Sequence, residues 1–360
     1  MKQAGVSLLQ SSLFSRARQI PLTLYLELSY RCPFNCIHCY CKNPPGMGRE
    51  LTASDWRKII AQGKAAGSLW MVLTGGEPLA HPDFEKIYSY AAARGFLISV
   101  FTTAYPLTAS QLRLFRKKPP YTIEISVYGA TAKTYESVTG KRGSFERAMR
   151  SIATLKNSGF NISIKMPCMN ANFREMGRVK RWAEKNFGSP AEHIYNFSYD
   201  TTLYPRLNGD TAPCAFRLSL PQLAQLTSLD KDVQREHECN LNAPMGAKHC
   251  GSKKLYRCNA WKTDVFVNPY GIMKFCVFSE KFSRDLRKER LLPSFRKILR
   301  EVSSAKMKTS SPCAFCHLRD ICFSCPAAAA LETGHEELPV PYFCALAHET
   351  YARWSADEDA

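Results

Sequence analysis

The 360-residue chain contains no stretch approaching the roughly 18 uninterrupted apolar residues that span a bilayer, so nothing in it asks for a membrane. Its first twenty residues lack both a long apolar core and a small-residue cleavage site, which argues against a secretory signal. Acidic residues are scarce: 31 Asp and Glu stand against 49 Lys and Arg, for a formal charge of +18. Such an excess favours an acidic partner. No recognised nucleic-acid-binding motif is present, which turns that expectation away from nucleic acid. These absences predict a cytoplasmic protein. In a reducing compartment, 15 cysteines point to metal binding or catalysis rather than to a disulfide framework.

The hydrophobic pattern predicts an α/β fold. Residues 22–29 alternate as a strand should, and 68–74, 96–103, 122–129, 161–167 and 193–200 continue the series. Helical segments fall between them at 51–67, 82–94, 108–117, 143–158 and 173–186. The first opens with a Thr52 cap and Asp55 three residues on, then places Trp56, Ile59 and Ile60 on one face. Six β/α units in a row call for a parallel sheet, and six fit a partial (β/α)6 barrel better than a closed eightfold one. The expected organisation is an N-terminal arm at 1–20, the partial barrel at 21–200, a linker or substrate-facing region at 201–245, and a Cys-rich domain at 246–360.

Directly after the first strand, "RCPFNCIHCYC" (31–41) holds Cys32, Cys36 and Cys39 as C-x3-C-x2-C. Loops at the C-terminal ends of barrel strands are where such folds put their chemistry. Three thiolates are one short of the four that hold a 4Fe–4S cluster or a structural zinc. An iron without a protein ligand is an open coordination site; a zinc set completed by Cys41 or His38 is the alternative. At the end of the second strand sits "TGGEP" (74–78), where two glycines let backbone approach a ligand closely and Pro78 fixes the turn.

Strand, CPFNCIHC, helix, strand and TGGEP together resemble the radical S-adenosylmethionine (radical SAM) enzymes. The resemblance implies that Cys32, Cys36 and Cys39 ligate three irons of a 4Fe–4S cluster while the amino and carboxylate groups of SAM chelate the fourth. It places Gly75, Gly76 and Glu77 along the pocket for the methionine end of SAM. Ser126 matches a position where the family often has a SAM-contacting serine; it reads equally well as a serine facing the barrel interior. The implied chemistry is reductive cleavage of SAM to a 5′-deoxyadenosyl radical that takes hydrogen from an unactivated carbon. Many relatives carry Thr-Asn-Gly at the end of the third strand, where this chain has "TTAYP" (102–106), so contacts there are not carried over. Cys41 lies outside the motif and reads as a bystander.

The last 115 residues carry eight cysteines. Cys258, Cys276, Cys313, Cys316, Cys322, Cys325 and Cys344 resemble the SPASM extension of radical SAM enzymes that modify peptides, with one loop a residue shorter than usual. That extension holds two auxiliary 4Fe–4S clusters, which need eight thiolates for full ligation. By analogy Cys250, Cys258, Cys276 and Cys325 form the inner set, and Cys313, Cys316, Cys322 and Cys344 the outer one; a pair of zinc sites is the alternative. Cys168, Cys214 and Cys239 are left over, Cys168 as a core residue at a strand end.

Eleven thiolates and three clusters of charge about +2 each would reduce the positive excess without erasing it. Residues 281–308 hold ten Lys or Arg against three acids on an expected helix, with Leu291, Leu292, Phe295, Ile298 and Leu299 to pack inward. Its basic face reads as a solvated surface or as a dock for an acidic leader peptide or a flavodoxin- or ferredoxin-type electron donor. The N-terminal 20 residues are too few for a leader-recognition domain, so for a peptide substrate recognition is expected from a separate leader-recognition protein or from the catalytic chain itself. The leading reading is an oxidoreductase that matures a ribosomally made peptide. The runner-up is a sulfatase-maturase-like enzyme that forms formylglycine, although Val277 stands where those enzymes commonly have an Asp. A Cys-rich zinc scaffold or electron carrier is the non-enzyme alternative.

Overall fold

The computed structural model describes residues 8–44, 48–187, 197–229, 253–258 and 262–358. Helix α1 (Leu8–Arg18) precedes strand β1 (Thr23–Glu27). Then come α2 (Ala53–Ala66), β2 (Trp70–Thr74), α3 (Phe84–Ala93), β3 (Leu97–Thr102), α4 (Ala109–Lys117) and β4 (Thr122–Ser126). Two helices, α5 (Ala132–Thr139) and α6 (Ser144–Asn157), lead to β5 (Ile162–Pro167), and α7 (Met176–Phe187) to β6 (Phe197–Asp200). The six strands are parallel and ordered β6-β5-β4-β3-β2-β1, so the chain forms an open, partial (β/α)6 barrel as its β/α alternation requires.

Local chemistry sets the elements. Thr52 Oγ1 accepts the Asp55 N–H at 3.3 Å while the Asp55 carboxylate accepts the Thr52 N–H at 3.1 Å, and Gly67 ends α2 in the left-handed region at φ 99°. Trp56, Ile59 and Ile60 are buried on the inner face of that helix. On β1, Leu24 and Leu26 are fully buried, and Leu24 lies so close to Gly63 of α2 that a Cβ there would fall 2.3 Å from its Cδ1. Tyr25 and Glu27 take the opposite face of the strand, where the Tyr25 ring stacks on Phe266 at 4.5 Å.

The chain then passes through α8 (Leu220–Leu229) to β7 (Asp264–Val267), β8 (Ile272–Lys274) and β9 (Arg284–Asp285). β7 pairs parallel with β1, Thr23 opposite Asp264, and β8 and β9 follow antiparallel. The Cys-rich region thus extends the barrel's own sheet and covers the edge that β1 would otherwise present to solvent. The basic stretch 281–308 is helical only over Leu291–Ser304 (α9), because residues 284–285 are drawn into β9. Leu291, Phe295, Ile298 and Leu299 are buried as α9 packs on α2, leaving Arg296, Lys297 and Arg300 outward. Helices α10 (Pro326–Thr333) and α11 (Pro341–Glu358) complete the chain. No helix among the described residues is long and apolar enough to cross a membrane.

Candidate active site

Beyond β1, the chain stays extended alongside TGGEP. Leu28 N–H donates to Thr74 O (2.9 Å), Gly76 N–H to Ser29 O (2.7 Å) and Glu77 N–H to Arg31 O (3.1 Å). A Cβ on Gly75 would lie 2.4 Å from Ser29 O, and one on Gly76 2.5 Å from Arg31 O. Both glycines are therefore demanded by the segment that leads into Cys32, before any ligand is considered. Glu77 is fully buried. Its Oε1 accepts from Thr102 Oγ1 (2.6 Å) and Leu79 N–H (3.0 Å), and its Oε2 from Thr103 Oγ1 (2.7 Å) and Thr103 N–H (2.8 Å). Burial pushes its carboxyl up and these donors pull it back. The side chain is committed to the end of β3, so the "TTAYP" stretch serves as the clamp on TGGEP.

The cysteine loop is pinned on two sides. Asn35 N–H donates to Thr139 O (2.8 Å) and Ile37 N–H to Val138 O (3.0 Å) at the end of α5, and Leu207 N–H reaches Tyr40 O (3.0 Å) from the segment after β6. Cys36 and Cys41 are buried, Cys32 and Cys39 partly so, and none of the described cysteines forms a disulfide. Burial first, then the charges of Glu77 and Cys39, push the Cys32 thiol up to about 12. Burial, then Cys39 and Cys32, raise Cys36. Cys39 is drawn down to about 7, first by a hydrogen bond with Cys41 and more weakly by backbone donors and the Arg206 guanidinium.

Cys32 and Cys36 therefore sense their neighbouring thiols, and both would need nearby positive charge to persist as thiolates in this setting. An iron–sulfur cluster supplies that charge, so the donor set fits one. Among the described residues no three His, Cys, Asp or Glu side chains converge tightly enough to hold a single ion, as one zinc at about 2.3 Å from each sulfur would require. Within the loop, the buried His38 Nδ1 has no protein partner among the described residues, and its ring leans on Tyr128 at 5.3 Å. Cys32 also faces a cavity of about 780 Å3 walled by Tyr105, Leu107, Leu112, Arg147 and Arg150.

Ser126 closes β4 on the same face as Glu124 and pairs in register with Lys165 of β5. Lys165 Nζ lies 3.8 Å from Glu124 Oε1 and 4.0 Å from Asp200 Oδ2, a charged group on the inner face of three neighbouring strands that the sequence did not flag. Glu27 was missed too. It accepts from Tyr30 Oη (3.0 Å) and Tyr40 Oη (3.4 Å), and burial raises its carboxyl to about 7. Its place in the alternation of β1, two residues beyond the inward-facing Tyr25, was the available signal.

The described cysteines of the C-terminal region fall in two places. Cys276 is pushed up to about 12 by burial, then by Cys325 and, more weakly, Cys258. Cys325 caps α10, and the Ala327 and Ala328 N–H groups oppose the rise that burial gives its thiol. Cys313, Cys316, Cys322 and Cys344 line one cavity of about 70 Å3. The loop before Cys313 is held by Glu337, whose carboxylate accepts from Lys308 N–H (2.8 Å) and Thr309 N–H (2.7 Å). Rings join the first loop to this region: Tyr40 meets Phe278 at 5.5 Å, and Phe278 meets Tyr204 at 4.5 Å. Cys168 is buried in the core as its strand-end position requires, whereas Cys239 and Cys250 lie outside the described residues.

Comparison with known proteins follows the same outline. Residues 26–183 match the Radical SAM superfamily model. The AdoMet-dependent heme synthase of Methanosarcina barkeri is 24% identical over 349 residues, 89% of this chain and 96% of that protein. The PqqA peptide cyclase of Ruegeria pomeroyi is 29% identical over 162 residues, 44% of this chain and 43% of that protein. Streptococcus suis SuiB bound to S-adenosylmethionine superposes with a TM-score of 0.67 at 17% identity, covering 93% of this chain and 78% of SuiB. Native anSMEcpe with AdoMet and the Cp18Cys peptide gives 0.65 at 16% identity, covering 92% and 96%. At these identities the two structures speak for the fold. The segment spanning residues 26–183 is a Radical SAM superfamily domain.

Proposed function

We propose that this chain is a radical SAM enzyme that takes hydrogen from a peptide or protein substrate and so matures a ribosomally made peptide. The observation that carries the reading is the gathering of Cys32, Cys36 and Cys39 in one loop at the C-terminal end of β1, braced by TGGEP. These three residues would hold a 4Fe–4S cluster. With SAM bound, the chemistry supplied there would be one-electron cleavage of the SAM S–C5′ bond, giving methionine and a 5′-deoxyadenosyl radical able to take hydrogen from carbon. The protein's own work is to hold and exclude. Glu77 fixes the turn through Thr102 and Thr103, Gly75 and Gly76 admit the loop, and the backbone of 75–77, with Ser126, lines the pocket for SAM. Cys258, Cys276 and Cys325, with Cys250 as fourth, and Cys313, Cys316, Cys322 and Cys344 would hold two auxiliary clusters.

The choice of a peptide draws on the PqqA peptide cyclase, on SuiB solved with its precursor peptide SuiA, and on anSMEcpe solved with a peptide. The outward Arg296, Lys297 and Arg300 of α9 suit an acidic leader or a flavodoxin- or ferredoxin-type donor, and a separate protein would recognise the leader. The cytoplasm is the compartment in which such clusters and free thiols persist. A second reading, a tetrapyrrole substrate, is favoured by one observation: the match to the heme synthase runs through both the barrel and the Cys-rich region.

Anaerobic reconstitution tests the metal content, with about twelve Fe per chain expected for three clusters. SAM cleavage to 5′-deoxyadenosine should vanish in Cys32→Ala; cleavage that persists there refutes the site. Mass spectrometry of a candidate short peptide and of a porphyrin, each incubated with enzyme, SAM and reductant, then separates the two substrate readings.

A further inference from the structure

One buried cation, Arg206, sits beside the first cysteine loop. Arg206 follows β6 in a tight turn: its N–H donates to Asp210 O (2.9 Å), and Gly209 N–H returns to Arg206 O (2.8 Å) with Gly209 at φ 85°. The next residue, Leu207, fastens this turn to Tyr40 O, immediately after Cys39. The Arg206 side chain is only 12% exposed. Nη1 pairs with the Asp210 carboxylate, whose side chain is 41% exposed, while Nε is buried and finds no acceptor among the described residues. A buried guanidinium donor left unpaired is costly, so Nε calls for an acceptor that none of the described residues provides, and a negatively charged one would suit the cation best.

We infer that Arg206 is a positioning residue whose buried guanidinium faces the group held by Cys32, Cys36 and Cys39 and stabilises its more negative, reduced form. The inference rests on the reading of that cysteine set as a 4Fe–4S site. Its physics is simple. Reduction adds one electron to the group, and a fixed cation in a poorly solvated setting favours the added charge. Asp210 opposes that effect from the more solvated side. Hydrogen bonding and nearby charge are among the levers by which a protein sets the potential of such a cluster.

The test is a redox titration of the reconstituted full-length protein, following the electron paramagnetic resonance signal that changes when SAM is added. That change selects the first cluster from any auxiliary ones. In Arg206→Gln the ratio of reduced to oxidised cluster at a fixed potential should fall about tenfold, equivalent to about 59 mV for a one-electron couple. Asp210→Asn should shift the ratio in the opposite direction, and Arg206→Lys should recover most of the wild-type value. Iron content is measured alongside. A variant that merely loosened the fold would not give shifts of opposite sign, and Asp210→Asn keeps the inference testable if Arg206→Gln fails to hold iron. Equal potentials in all three variants overturn the inference while leaving the cluster reading intact. A SAM-sensitive signal that is missing from the wild type, or that survives in Cys32→Ala, overturns both.

Discussion

Glu77 and Thr103 are joined twice: one carboxylate oxygen accepts both the hydroxyl and the backbone N–H of the threonine, at 2.7 and 2.8 Å. The bond ties the turn after β2 to the end of β3 in a site with no solvent access. Replacing Glu77 with Gln puts an amide donor where two donors already converge. It should cost about 1–3 kcal/mol, read as a lower urea midpoint. Thr103→Ser, which keeps both donors, should lie close to wild type.

Gly76→Ala should be more severe than its size suggests, because the new Cβ meets main chain rather than a side chain that could turn away. It would displace residues 30–31, and iron bound after reconstitution should fall by about four per chain, the content of one cluster. Gly143→Ala is the control. At φ 72° but with open space around the Cβ, it should cost about 1 kcal/mol in stability and leave the iron content unchanged.

Glu27 carries a pH signature. Its carboxyl is raised from 4.5 to about 7, chiefly by burial, so the folded protein holds this proton more tightly than the unfolded chain. The resulting stabilisation is complete below about pH 4.5 and is lost as the pH climbs through 7, in all about 3 kcal/mol. Glu27→Gln should remove that slope. Denaturation of both proteins at several pH values across the window reads the difference.

Arg217 and Glu332 form a bidentate pair at 2.8 and 2.7 Å, linking the segment before α8 to α10, and the guanidinium also lies over the rings of Tyr342 and Phe343. Both side chains are largely buried. Glu332→Ala leaves the cation without its partner and should destabilise by about 3 kcal/mol, with faster amide exchange in α10 and α11 as the local readout.

Cys41→Ala should retain its iron. The Cys41 thiol is buried, lies 3.9 Å from Gly75 O and hydrogen-bonds with Cys39, so a stability loss of about 1 kcal/mol for the vacated volume, together with loss of the pull that holds the Cys39 thiol down, is the expected effect.

The parts of this molecule written in short sequence intervals could be read directly. The alternation of β1, the Thr52–Asp55 cap and the spacing of Cys32, Cys36 and Cys39 each depend on neighbours within a few residues, and each has the local form that the sequence implied. Contacts between distant segments were not legible. Glu77 looked like a ligand-facing carboxylate because nothing in TGGEP says that Thr102 and Thr103, 25 and 26 residues on, will consume it. Gly75 and Gly76 looked like room for a ligand, yet their tightest neighbours are carbonyls 45 or more residues earlier in the chain. Helix α5 escaped notice because its eight residues follow the fourth strand without a clear apolar stripe. The pairing of β7 with β1 joins residues about 240 positions apart, and no periodicity carries that information.

That pairing limits how the protein can be dissected. A chain cut after residue 245 would keep every residue of the matched superfamily segment, but it would strip β7 from Thr23–Leu26. The exposed row of unpaired amides and carbonyls is the kind of edge that recruits other chains. The excised barrel should therefore be found as aggregate rather than as a minimal catalyst, making the C-terminal third a chaperone of the first strand.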